Sequence, residues 1–136
     1  IENIVVKRSD LSFYIVSQGV FPSLNELSPV IESYYLGTKA KYVTKIKEIL
    51  GFSNNIHKNF KPINIKSVLM INNKLKTFAQ KHNNVFFIDR NTPICSSTYN
   101  CFLSVNDKPI FSDPTHFSIY GGEIVGKYIL DKVKEM

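Results

Sequence analysis

This sequence contains few cysteines, few arginines and no long apolar runs. The first and last of these argue against a zinc site and a membrane span. Only two of the 17 basic residues are arginines, and there are 2 cysteines. Two cysteines cannot complete a four-thiolate zinc site, and no histidine pair has the spacing of helical metal ligands. The apolar runs are strand-sized, far below the roughly 20 residues of a membrane-spanning helix, and no signal-peptide pattern is visible. The sequence therefore predicts no metal centre, no membrane span and no organic cofactor.

The net charge of +6 raises the question of an acidic partner. Proteins that bind nucleic acids usually concentrate Lys and Arg on one face and favour arginine for bidentate contacts. Here the lysines are scattered along the chain, and the only arginines are Arg8 and Arg90. We interpret the charge as a solvated, lysine-rich surface and expect no nucleic-acid partner.

The two cysteines, Cys95 and Cys101, have residues 96–100 between them. They either close a short disulfide loop or remain two separate reduced thiols. Closing such a loop would stabilise the fold by about 2 kcal/mol, and a disulfide would indicate an oxidising compartment. The spacing alone leaves both interpretations open.

The chain of 136 residues, 43% of them hydrophobic and 21% charged, suits a single folded domain over residues 1–136. Runs of β-branched and aromatic residues predict buried strands at 12–18 and 85–89. Apolar residues repeating every three or four positions predict helices. These span 38–50, 65–80 and 118–134, with a further helix that begins at Ser28-Pro29 and ends near residue 35. Residues 52–62 are interpreted as an asparagine-rich loop, and a turn at Asn106-Asp107 predicts a hairpin joining 101–104 to 109–111.

This order of elements predicts an α/β protein with a parallel sheet and right-handed crossovers. Two parallel strands cannot cover both of their faces and do not make a self-sufficient sheet. We therefore expect further strands from a missing N-terminal part or from a partner. The chain also begins with Ile1 rather than Met, as a trimmed piece of a longer protein would.

The stretch around Asp113 and His116 carries the clearest chemistry. In acyl transfer a histidine takes the proton of a hydroxyl nucleophile and later returns it. A carboxylate near its other ring nitrogen fixes the tautomer, and a tight turn can supply both groups. On spacing alone, however, Asp113-Pro114 is more typical of a helix N-cap followed by a first-turn proline. Gly121 and Gly122 are interpreted as small residues that permit close helix packing.

Residues 93–129 resemble the end of the SGNH hydrolase domain that is fused to membrane-bound acyltransferases of the family-three type. That ending reads cysteine, short loop, cysteine, a hairpin ending in an aromatic residue, and then Asp-x-x-His-hydrophobic-Ser-x-x-Gly. This chain supplies, in the same order, Cys95, Cys101, Pro109-Ile110-Phe111, Asp113, His116, Phe117, Ser118 and Gly121. The runs at 14–18 and 85–89 resemble the family's preceding strands, but only the last forty or so residues are specific.

The resemblance implies a flavodoxin-like three-layer SGNH hydrolase fold whose N-terminal strands are missing. It implies that His116 is the catalytic base and Asp113 its orienting partner. It also implies a disulfide between Cys95 and Cys101 on the extracytoplasmic side, at the periplasm or cell surface, and a membrane acyltransferase domain in the parent protein.

The chain departs from the family in lacking the Gly-Asp-Ser block that carries the nucleophile. The glycine and asparagine blocks of the oxyanion hole are not identifiable either, and Ser17 only faintly resembles a nucleophile turn. The expected partners are therefore a missing N-terminal segment carrying the serine and a glycan acceptor. His57 in the loop and His82 at a helix end are interpreted as solvated residues or as helix-end cations.

Two functions follow from these patterns. The first is ester processing, meaning O-acyl (O-acetyl) transfer or hydrolysis on a surface glycan by a Ser-His-Asp mechanism, with this chain supplying Asp113 and His116 and being inactive alone. The second is a non-catalytic basic module that binds an anionic polymer and uses Asp113-Pro114 only as a cap. Labelling by an active-site probe would discriminate between them.

Overall fold

The computed structural model describes residues 1–35, 49 and 58–136, and within them the protein is mixed α/β. The predicted helix at 38–50 lies outside these residues, apart from Ile49. The part of the predicted loop at 52–57, which includes His57, also lies outside them. In chain order the elements are α1 (Glu2–Lys7), β1 (Phe13–Val16), α2 (Leu24–Tyr35), β2 (Asn59–Phe60), α3 (Ile65–Gln80), β3 (Val85–Ile88), β4 (Cys101–Phe102), β5 (Ser104–Val105), β6 (Lys108–Pro109), β7 (Phe111–Asp113), β8 (His116–Phe117) and α4 (Ile119–Glu135). The short helix α1 has no counterpart in the sequence-based prediction.

Strands β1 and β3 form the predicted parallel pair, in register from Phe13 opposite Val85 to Val16 opposite Ile88. One face packs on α1 and α3, where Phe13, Ile15 and Phe87 surround a small core of Val5, Ala79 and Val85. On the other face Val16 is still 38% exposed. In the described parts of the chain these two strands pair only with each other.

Helix α3 has the predicted bounds, because its apolar residues recur at helical spacing along one face. The predicted start of α2 was wrong. Ser23 caps this helix, since its Oγ accepts the backbone N–H of Glu26 at 3.3 Å and donates to the Glu26 carboxylate at 2.8 Å. Ser23 and Glu26 have the Ser-x-x-Glu spacing of a capping box, although the carboxylate here accepts from the hydroxyl rather than from the Ser23 N–H. Pro29 lies inside the helix rather than at its start.

The C-terminal half is built from short antiparallel pairs closed by tight turns. Strands β5 and β6 form the predicted hairpin, and its two turn residues, Asn106 and Asp107, have φ values of 51° and 61°. Two consecutive positive φ values define a turn whose twist matches that of the flanking strands. Strands β7 and β8 form a second hairpin, which holds Asp113 and His116.

Helix α4 follows this second hairpin and is anchored at its first turn. Ser118 is the N-cap: its Oγ accepts the backbone N–H of Gly121 at 3.0 Å and donates to the carbonyl of Pro109 at 2.6 Å. A Cβ at Gly121 would overlap the Ile110 carbonyl, so the packing role predicted for this glycine is confirmed. The same prediction for Gly122 was wrong, because a Cβ there would meet nothing within 4 Å.

The main core lies between α2, α4 and the short strands. Residues 59–60, predicted to be loop, instead form β2, which pairs with β4. Phe60 is 2% exposed and meets Phe111 edge to face, with ring centroids 5.6 Å apart. Phe111 is the first residue of β7, so this contact ties the second hairpin to the core.

Candidate active site

Asp113 and His116 face each other across the two-residue turn Pro114-Thr115 that joins β7 to β8. The Asp113 Oδ1 atom accepts the backbone N–H groups of Thr115 at 2.8 Å and of His116 at 2.9 Å. The aspartate therefore organises the turn that positions the histidine. The cap interpretation of Asp113-Pro114 was wrong, because Ser118 caps helix α4.

The His116 ring is held through its Nδ1 atom. Both carboxylate oxygens of Asp113 lie 2.9 Å from Nδ1. A carboxylate can only accept, so Nδ1 donates and the proton-accepting nitrogen of the neutral ring is Nε2. The His116 side chain is 74% exposed, and within the described residues Nε2 makes no hydrogen bond. An imidazole with a fixed tautomer and an open Nε2 is the arrangement that general-base catalysis requires.

The hydrogen bonds to Asp113 keep it charged. The backbone N–H of Thr115 and then the His116 side chain lower the pKa of this carboxyl below its ordinary value of 3.8. The carboxylate is therefore ionised at neutral pH, so it can stabilise an imidazolium that forms during a reaction.

Thr115 is a residue of this hairpin that the sequence-based interpretation passed over. Its Oγ1 lies 3.1 Å from Asp113 Oδ1 and 3.1 Å from His116 Nδ1. The hydroxyl therefore holds the carboxylate against the ring. Thr115 occupies one of the two variable positions of Asp-x-x-His, so the motif alone carries no signal for it.

Ser17 lies at the carboxyl end of β1 and is engaged in a structural contact. Its side chain is buried, at 4% exposure. Its Oγ donates to Asp89 Oδ1 at 2.9 Å and accepts the backbone N–H of Arg90 at 2.9 Å. These bonds join the ends of β1 and β3. In the described residues His116 is not among the partners of this hydroxyl.

Three asparagines clamp the segment that follows β1, which we call the β1 loop (residues 18–21). Asn72 bonds both the N–H of residue 18, at 2.7 Å, and its carbonyl, at 3.3 Å. Asn91 accepts from the N–H of residue 20 at 3.0 Å and donates to the carbonyl of residue 18 at 2.8 Å. Asn64 bonds the N–H of residue 21 at 2.9 Å and the carbonyl of residue 19 at 3.0 Å. Loops at the carboxyl ends of parallel strands are where α/β proteins bind ligands, and this one is held rigidly.

Arg90 connects the β1 loop to the Asp113–His116 hairpin. Its guanidinium lies against Gly19, where an added Cβ would be only 2.7 Å from both Nε and Cζ. Its Cζ also lies 5.9 Å from the centre of the Phe117 ring, within cation–π range. Burial lowers the pKa of Arg90 from its usual value. The sequence identifies Arg90 only as one of two arginines and does not predict these contacts.

Cys95 and Cys101 form a disulfide, as the resemblance implied. A cavity of about 290 Å³ adjoins it, lined by Asp89, Asn91, Thr92, Ser96, Ser97 and Tyr99 together with Cys95. Thr92, Ser96 and Ser97 contribute hydroxyl groups and Tyr99 an aromatic ring, although most of the exposed lining is apolar and the Asn91 amide is engaged by the β1 loop. Hydrogen-bonding groups beside an aromatic face are suited to a sugar-sized polar ligand.

The remaining histidine in the described residues is His82, which the sequence predicts to be a solvated residue or a helix-end cation, and its burial contradicts the first of these. Its side chain is 14% exposed, and its ring lies against Phe78 with centroids 4.8 Å apart. No cluster of three or more metal-ligating side chains is found in the described ranges. No helix within the same ranges is long and apolar enough to cross a bilayer.

The geometry thus defines a mixed α/β protein with an oriented Asp-x-x-His pair on an exposed hairpin. Comparisons with protein-family models, with curated proteins and with solved structures found no match. The functional argument therefore rests on the residues themselves.

Proposed function

We propose that this chain is the histidine- and aspartate-bearing part of an SGNH-type domain that transfers or hydrolyses O-acyl groups, such as acetyl, on a surface glycan. His116 is the general base and acid, and Asp113 orients it. The observation that carries the proposal is the contact of Asp113 with Nδ1, which leaves Nε2 exposed. The scaffold would be the flavodoxin-like three-layer fold of that family.

In the proposed reaction His116 Nε2 accepts the proton of a serine hydroxyl as its oxygen bonds to the acyl carbon. It returns that proton to the leaving alcohol as the ester bond breaks, which leaves an acyl-serine. The hydroxyl of the glycan acceptor, or water, is then deprotonated by the same nitrogen and takes the acyl group. The proton finally returns to the serine oxygen.

The nucleophile is proposed to come from a segment outside residues 1–136. No Gly-Asp-Ser sequence occurs in the chain, and Ser17 is buried in contacts to Asp89 and Arg90. Additional strands are proposed to complete the sheet on the edges that β1 and β3 leave unpaired in the described ranges. The hydroxyl of the missing serine is proposed to approach Nε2 from its exposed side.

An extracytoplasmic location, with a membrane acyltransferase domain in the parent protein, is part of the proposal. The disulfide supports an oxidising compartment, because disulfides persist there and are rare in the cytosol. The cavity beside it supports a glycan acceptor, since hydroxyl-bearing side chains and Tyr99 line its wall.

The test is fluorophosphonate labelling and aryl-acetate hydrolysis by the intact protein that contains this chain. We expect His116→Ala to lower the rate by about 10⁴-fold or more, and Asp113→Asn to lower it strongly, because each removes a member of one catalytic unit. His82→Ala is the matched control and should label normally. An unlabelled wild-type protein, or a His116→Ala variant that labels at the wild-type rate, would contradict the proposal.

A further inference from the structure

The two arginines of this chain have opposite surroundings. Arg8 is exposed and forms a bidentate pair with Asp10, at 3.0 and 2.9 Å. Arg90 has no carboxylate within ion-pair distance in the described residues, and its Nε is buried without a hydrogen-bond partner. In the adjacent carboxylate of Asp89, the Oδ1 atom accepts from the Ser17 hydroxyl and from the N–H of Asn91.

The position of the Arg90 guanidinium is built into the fold. Gly19 leaves the space in which it lies, since a Cβ there would overlap it. Asn64 holds Gly19 by its carbonyl at 3.0 Å, and the Arg90 Cζ lies 5.9 Å from the centre of the Phe117 ring. An arginine held between a fixed loop and an aromatic ring keeps little of the rotamer freedom that an anion would otherwise have to restrict.

A partly buried cation without a partner is unfavourable in the free protein. Removing a charge from water costs free energy unless an opposite charge or hydrogen bonds replace the lost water. Arg90 stays protonated at neutral pH, because guanidinium groups do not lose their proton in proteins. An anionic ligand group would supply both the missing charge and acceptors for the guanidinium fork.

We propose that Arg90 binds the carboxylate of an acidic sugar, so that the glycan handled at this site is anionic. The guanidinium lies against Phe117, which directly follows His116 in β8. A carboxylate bound to Arg90 would therefore lie beside the hairpin that carries the imidazole. The assignment of this ligand as the acyl acceptor rests on the proposed function, whereas anion binding by Arg90 does not.

The test is calorimetric titration of the intact protein with tri-galacturonate and with its uncharged methyl ester. We expect the acid to bind and the ester to bind at least about tenfold more weakly, because the charge-assisted pair is lost. Arg90→Gln should weaken acid binding to a similar degree, and Gly19→Ala should weaken it by displacing the guanidinium. Arg8→Gln is the matched control, because it removes the same charge from an exposed ion pair, and it should leave the affinity unchanged.

Equal affinities for acid and ester, or unchanged acid binding by Arg90→Gln, would overturn the inference. If Arg90→Gln does not fold, Arg90→Lys keeps the charge but loses the planar fork, and it should still weaken binding. This titration involves no acyl chemistry, so its failure leaves the His116 labelling experiment intact. Loss of labelling in His116→Ala, in turn, does not bear on Arg90.

Discussion

Replacing Asn72 by alanine tests whether the asparagine clamp holds the β1 loop. Asn72 lies on α3, is 6% exposed, and bonds both backbone groups of Gln18. The next residue, Asn73, lies on the same helix but is exposed to solvent. The pair Asn72→Ala and Asn73→Ala therefore makes the same chemical change in two environments one position apart.

The expected magnitude follows from what each variant leaves unpaired. Asn72→Ala leaves the backbone N–H of Gln18 without a hydrogen-bond acceptor. The carbonyl of Gln18 keeps its hydrogen bond from Asn91 at 2.8 Å. A buried donor without a partner costs about 1–3 kcal/mol. Both variants gain up to about 0.7 kcal/mol of helix propensity, so this gain cancels in the comparison. Asn72→Ala should be the less stable of the two by about 1–3 kcal/mol.

The assay is thermal unfolding of the two variants under oxidising conditions, followed by circular dichroism or calorimetry. For a domain of this size each kcal/mol shifts Tm by about 4 °C, so the two midpoints should differ by about 4–12 °C. Because the β1 loop contains Gly19, Asn72→Ala should also weaken binding of the acidic trisaccharide. Equal Tm values for the two variants would refute the reasoning that the amide bonds hold this loop.

Two further predictions concern packing and the disulfide. Gly121→Ala should destabilise by about 2 kcal/mol or more, because its Cβ would overlap the Ile110 carbonyl, whereas Gly122→Ala should stabilise by about 0.5–1 kcal/mol through helix propensity. Urea midpoints that move in the same direction for both would contradict this. Removing the Cys95–Cys101 disulfide by a double serine substitution should lower the free energy of unfolding by about 2 kcal/mol, because the unfolded chain gains loop entropy. An unchanged urea midpoint in this variant would contradict that prediction. Two titratable thiols in the denatured, unreduced wild-type protein would contradict the disulfide itself.

Local sequence patterns predicted those elements that are determined by interactions between residues close together in the chain. The repeat of apolar residues in α3, the turn at Asn106-Asp107 and the apolar run of β3 are each decided by neighbours in sequence. The Asp113–His116 contact belongs to this group as well, since a two-residue turn brings the pair together. For the same reason Ser23 and Glu26 could have indicated the true start of α2, because a capping box is also a local signal.

Other features depended on partners far along the chain, and no local pattern indicates them. The sequence pattern of residues 59–60 predicts a loop, but these residues form strand β2, in which Phe60 packs against Phe111 in the core. Asn72 follows an ordinary helical pattern, and only its bonds to Gln18, 54 positions away, distinguish it from Asn73. The surroundings of Arg90 could not be predicted either, because its guanidinium lies against Gly19, 71 positions earlier in the chain, and has no carboxylate partner among the described residues.

By itself the sequence determined the α/β alternation, the bounds of α3, β3 and α4 to within one residue, and the Asp-x-x-His pair, because propensity, turn chemistry and short-range hydrogen bonds act between residues close in the chain. The tertiary structure alone decided that Ser17 is a buried tie between strand ends, that three asparagines clamp the β1 loop and that Arg90 has no counter-ion among the described residues. These outcomes depend on which distant backbone and side-chain groups meet when the chain folds.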